Sequence, residues 1–183
     1  PFPESSFITK NNIDIHYREW NSNLVSPTRK IVMIHGFYGS TASWDRVVDK
    51  LKNSNDYIVT IDLPGFGYSS KQAGMDYSTD FRSELVWQVL NDLDNKNHGL
   101  SSIRWTVIGH SMGGGIAANM NLQNPQLVRE LILVDPAINY SETKENIFLS
   151  LFDNPVTKRY ISLFANYYFF QYSQLKNFLT SAY

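Results

Sequence analysis

A chain of 183 residues, with 43% hydrophobic and 18% charged side chains, can bury one sizeable core and is neither disordered nor fibrous. A net charge of −1 with scattered basic residues gives no electrostatic footprint for nucleic acid, and no apolar run approaches membrane-spanning length. Cysteine does not occur, which excludes disulfides, thiolate metal sites and a cysteine nucleophile.

In chain order, Ser6–Lys10 and Ile13–Trp20 read as two short strands around an Asn11-Asn12 turn. Ile13, Ile15 and Tyr17 alternate with Asp14, His16 and Arg18, which predicts a half-buried antiparallel hairpin with His16 on its exposed face. Residues 21–29 form a polar loop. After it the pattern changes to short continuous apolar runs: Ile31–Ile34, Tyr57–Ile61, Trp105–Ile108 and Leu131–Val134. Such runs predict parallel strands covered on both faces. Between them, Trp44, Val47, Val48 and Leu51 share a helical face, as do Phe81, Leu85, Val89 and Leu93, with Ser78, Thr79 and Asp80 available to cap.

Strands alternating with helices predict an α/β fold: a mostly parallel sheet, an N-terminal antiparallel hairpin and helices on both faces. Ligands in such sheets sit beyond the carboxyl ends of the strands. The residues that carry chemistry cluster there, with His35-Gly36, Asp62, Ser111 and Asp135 each following one of the four apolar runs.

Gly109-His110-Ser111-Met112-Gly113 has the form G-x-S-x-G. It follows the strand Trp105–Ile108 and precedes a small-residue helix from Gly113 to Leu122, with Pro125 near its end. A serine at so sharp a turn presents its hydroxyl above the sheet, and the glycines accept backbone shapes that a Cβ forbids.

Taken together, Ile34-His35-Gly36-Phe37, Ala42-Ser43-Trp44, Asp62–Ser69, Gly109–Gly114 and Leu131–Asp135 resemble the α/β-hydrolase superfamily, in its order and spacing from about residue 7 to 138. The resemblance implies that Ser111 is the nucleophile and that the backbone N–H groups of Phe37 and Met112 form the oxyanion hole. It further implies structural roles for His35, Gly36, Asp62, Gly65, Gly67 and Ser69, and a packing role for Trp44. Asp135 is weighed as a structural residue first and as the catalytic acid second.

A serine nucleophile needs a general base, and in this family the base follows the serine. His16, His35, His98 and His110 all precede Ser111, so none is a credible base. The expectation is therefore a fragment: residues 1–138 as the N-terminal part of the core, and 139–183 as the beginning of a helical cap, with the C-terminal part of the core lying elsewhere. Eleven aromatics between Phe148 and Tyr183 suit a cap whose rings pack together, or an apolar roof over the substrate. An edge strand as apolar as Leu131–Val134 also calls for further protein to cover it.

The resemblance implies a serine hydrolase acting through an acyl-enzyme on a small, fairly apolar ester. Carbon–carbon bond hydrolases and cofactor-free peroxidases of the same fold are the alternatives, and a non-catalytic ligand-binding relative is a third. No cofactor and no metal are expected. The expected partners are a small-molecule substrate and a remaining C-terminal part of the same protein, with no nucleic acid and no membrane span. A cytoplasmic location is expected, and a removed upstream segment stays open because the chain begins at Pro1.

Overall fold

A computed structural model describes residues 2–96 and 102–138. His98, the cap-like segment 139–183 and the readings made for them lie outside the described residues. The described part belongs to one compact unit ending at Ile138.

Six strands of the described residues form one sheet: β1 (Ser5–Lys10), β2 (Ile13–Trp20), β3 (Arg29–Ile34), β4 (Asp56–Ile61), β5 (Trp105–His110) and β6 (Val128–Val134). Their order across the sheet is β1-β2-β4-β3-β5-β6. The β1–β2 and β2–β4 pairs are antiparallel, and β4, β3, β5 and β6 run parallel. The chain therefore switches from hairpin to parallel sheet where the hydropathy pattern changes from alternating to continuous.

Among the described residues three α-helices accompany the sheet: α1 (Asp45–Leu51), α2 (Thr79–Lys96) and α3 (Met112–Gln123). A 3-10 turn, Thr41–Trp44, leads into α1 and is capped by Ser40. Ser78 caps α2, its Oγ accepting the Phe81 N–H at 3.2 Å.

The two faces of the sheet carry separate cores. Val32, Ile34, Val59, Ile61 and Val107 pack under α2 and α3 with Leu85, Val89, Leu90, Ile116 and Met120. Ile31, Met33 and Ile58 pack on the other face against Trp44 and Val48. Residues two apart thus share a face while their neighbours serve the opposite one, as a doubly covered strand requires. Trp44 is a packing residue, as expected.

The hairpin departs from the expected half-buried form. Ile15, His16, Tyr17 and Arg18 are all buried, so β2 is covered on both faces through its middle. His16 is not on an exposed face; its ring has no solvent exposure at all. Alternating polarity misled because His16 and Arg18 bring their own partners inside. Arg18 donates to Asp45 at 2.6 Å and to Glu4 at 3.3 Å, and its guanidinium lies over the Phe2 and Trp20 rings. A polar residue with its charge paired and most of its hydrogen bonds made, all but Nε in the case of Arg18, can occupy a position that hydropathy assigns to water.

Candidate active site

Ser111 stands between β5 and α3 with φ 51° and ψ −120°, a left-handed backbone that a non-glycine residue adopts only under constraint. The constraint comes from both sides. Its N–H donates to Val134 O at 3.0 Å, and its carbonyl accepts the N–H groups of Gly114 at 2.9 Å and Ala137 at 2.8 Å. The end of β6 therefore braces the serine turn directly.

The glycines around it are required by packing. A Cβ on Gly109 would run into the carbonyl of Gly113, and one on Gly113 into the carbonyl of Ile34. Their absence lets α3 begin hard against β3 and β5. Met112 is the first residue of α3, where main-chain N–H groups lack an intrahelical acceptor and the helix dipole is positive.

The loop after β3 meets the same turn. A Cβ on Gly36 would lie 3.1 Å from Ser111 Cβ and 2.8 Å from His110 Nδ1, so the Gly36 backbone is in contact with the serine. Phe37 follows, its ring about half exposed and edge-on to Tyr38 and Phe66, with centroids 4.5 and 5.6 Å away. Ser111, Phe37 and Met112 are thus brought to one end of the parallel strands.

His35 anchors this loop to the next. Its Nδ1–H donates to Gly36 O at 2.7 Å and its Nε2 accepts the Leu63 N–H at 3.1 Å, which sets the neutral tautomer. Burial pushes its pKa below the ordinary histidine value. Asp62 anchors the neighbouring loop, accepting the N–H groups of Thr41 at 2.6 Å and Tyr68 at 2.8 Å, while Ser69 Oγ donates to Asp62 O at 2.6 Å. The structural roles expected of His35, Asp62 and Ser69 are the ones observed.

Sequence reasoning missed two features. His16 links Asp62 and Ser5, with both ring nitrogens engaged at 2.7 Å. Arg82, from the first turn of α2, reaches Met112 Sδ at 3.6 Å through Nη1 and Pro64 O at 3.3 Å through Nη2. No hydropathy signal marks either residue, because each has a polar side chain turned inward beside an apolar stripe.

The histidines do not complete a triad among the described residues. His16 and His35 have both ring nitrogens committed elsewhere. His110 is exposed at the position before the serine. Asp135 is also exposed, with φ 43° at the end of β6.

A family model described as the alpha/beta hydrolase fold matches residues 30–178. The chain belongs to the alpha/beta hydrolase family. Among its relatives, an uncharacterised hydrolase of Bacillus subtilis is 32% identical over 127 residues, covering 69% of this chain and 42% of its own length. The human (lyso)-N-acylphosphatidylethanolamine lipase is 34% identical over 106 residues, covering 58% of this chain and 30% of its own. The chain thus spans less than half the length of these relatives.

Two alpha/beta hydrolase structures are similar in shape. A bacterial membrane phospholipase A superposes with a TM-score of 0.63 at 29% identity, over 80% of this chain and 44% of its own. The thioesterase domain from the curacin biosynthetic pathway superposes with a TM-score of 0.66 at 25% identity, over 82% and 52%. No described helix is long and apolar enough to cross a membrane.

Proposed function

We propose that this chain carries the nucleophile of a serine hydrolase that works through an acyl-enzyme on a small, fairly apolar ester. The observation that carries the reading is Ser111, held at φ 51° on a strand-to-helix turn by hydrogen bonds to Val134 and Ala137 and by Gly109 and Gly113, where an added Cβ would strike backbone. Hydrolases and lipases among the relatives support the reaction class.

In this reading Ser111 Oγ attacks the ester carbonyl while a histidine takes the hydroxyl proton. The carbonyl oxygen becomes an oxyanion and is held by the N–H groups of Phe37 and Met112, and fixed donors of this kind contribute a few kcal/mol each. Collapse expels the alcohol, which leaves with the proton from the histidine. Water then repeats the sequence on the acyl-enzyme and releases the acid. The described residues do not supply that histidine, and we assign both it and the catalytic acid to the remainder of the protein, since the relatives extend well beyond the matched stretch.

The test is labelling of the intact protein with a fluorophosphonate. One adduct on Ser111, lost in Ser111→Ala, is the expected result. A folded, full-length protein that leaves Ser111 unlabelled would instead favour the non-catalytic ligand-binding relative.

A further inference from the structure

The two most buried cations of the described residues each face a carboxylate. Lys30 Nζ lies 2.6 Å from Asp94, and Arg18 lies 2.6 Å from Asp45. Arg82 is different. Among the described residues no carboxylate comes within ion-pair distance of it. Its Nη atoms reach only a thioether and a carbonyl, and its Nε, like that of Arg18, is buried with no partner, while the Asp76 carboxylate attracts it only from beyond ion-pair distance. The guanidinium is set between the Phe66 and Tyr77 rings, 5.6 and 5.3 Å from their centroids.

This arrangement is unfavourable for the resting fold. A partly buried cation with an unsatisfied N–H is costly. Its position adds to the cost. Arg82 belongs to the first turn of α2 and touches the first residue of α3, and helix N-termini repel cations. An apolar side chain of the same length would keep the packing and give up only the two ring contacts and two long hydrogen bonds.

The arrangement becomes favourable once negative charge develops at the start of α3. We infer that Arg82 is a positioning residue for the acylation step, holding the Met112 side chain and adding positive potential where the oxyanion forms. The inference rests on the reading of Ser111 and Met112 given above. A cation held in a low-dielectric site stabilises a nearby anion more than it would in water, and it needs no reorganisation at the moment of reaction. Because it acts through Met112 and touches no substrate atom, its effect belongs to kcat rather than to KM for a neutral ester.

Three forms of the full-length protein test this: wild type, Arg82→Met and Arg82→Lys. The readouts are the rate of fluorophosphonate acylation, kcat and KM on a neutral p-nitrophenyl ester, and the thermal midpoint. The expected result for Arg82→Met is a loss of roughly tenfold in acylation rate and kcat, with KM unchanged and the thermal midpoint equal or higher. Arg82→Lys, which keeps the charge, should stay within about threefold of wild type. Acylation by Arg82→Met at the wild-type rate would overturn the proposal, as would a lowered thermal midpoint in both variants with matching activity losses. A wild-type protein that is not acylated at Ser111 would remove the underlying reading, and this one with it. A labelled wild type with an insensitive Arg82→Met would remove this one alone.

Discussion

His16 Nδ1 lies 2.7 Å from Asp62 Oδ2, and neither side chain has any solvent exposure. The contact joins the middle of the N-terminal hairpin to the end of β4. Asp62 in turn holds the Thr41 and Tyr68 N–H groups, so one carboxylate ties together the hairpin, the loop before α1 and the loop after β4. Phe7 and Tyr68 close over the imidazole from two sides, with ring centroids 5.1 and 5.2 Å away.

Replacing either partner with alanine strands the other. Asp62→Ala should cost about 3–5 kcal/mol, because several buried donors lose one shared acceptor. His16→Ala should cost somewhat less, since Asp62 keeps its two backbone donors. Urea unfolding followed by tryptophan fluorescence measures both. A loss below about 1 kcal/mol for Asp62→Ala would mean that the hairpin and loops hold without this carboxylate.

The glycines of the serine turn should differ sharply from a glycine in an open loop. Gly113→Ala drives a Cβ into the Ile34 and His35 carbonyls, which are fixed parts of β3 and its loop. A loss above about 4 kcal/mol, or failure to fold, is expected. Gly74 has φ +77° but open space around it, so Gly74→Ala should cost only about 1–2 kcal/mol of backbone strain. Thermal melts of the two variants side by side give the comparison.

His35 makes the fold sensitive to mild acid. Its folded pKa is held below the ordinary value near 6.5, chiefly by burial, so over that window the unfolded chain binds the proton and the folded chain does not. Stability should therefore fall as pH drops through about 6.5, and keep falling until the lower folded pKa is reached, with a slope of up to about 1.4 kcal/mol per pH unit for one proton. The structural reason is direct. Protonating Nε2 places a second hydrogen where the Leu63 N–H donates. Urea midpoints between pH 7.5 and 5 should show this slope in the wild type and a flatter one in His35→Gln. Equal slopes would assign the acid sensitivity to another group.

Much of this fold was legible in the sequence because strand hydropathy follows burial when both sheet faces are covered. Ile31–Ile34 and Tyr57–Ile61 are continuous apolar runs, and both lie in the parallel centre of the sheet. The serine turn was equally legible, since a motif of glycines at fixed offsets reports backbone proximity directly. His16 was not. Its polarity matched a solvent-facing alternation, while the partners that bring it inside, Asp62 and Ser5, lie 46 and 11 residues away. Arg82 escaped for the same reason, since its contacts, Pro64 in the loop after β4 and Met112 at the start of α3, lie 18 and 30 residues away. Long-range polar pairing leaves no periodic trace.

Gly36 offers a way to move the serine without removing it. An added Cβ would meet His110 Nδ1 at 2.8 Å and Ser111 Cβ at 3.1 Å. The exposed His110 ring can swing aside, but Ser111 sits on a braced turn and must itself give way by a few tenths of an ångström. Gly36→Ala should therefore fold, at a cost of about 1–3 kcal/mol, and lose acylation by roughly tenfold to a hundredfold, because small misplacements of a nucleophile are expensive. Phe37→Leu and Met112→Leu should behave differently. The groups proposed to hold the oxyanion there are main-chain N–H groups, so acylation should stay within about tenfold while preference among ester chain lengths shifts. Acylation rates across a short series of p-nitrophenyl esters separate the two outcomes. A Gly36→Ala protein as active as wild type would show that the loop after β3 does not set the position of Ser111.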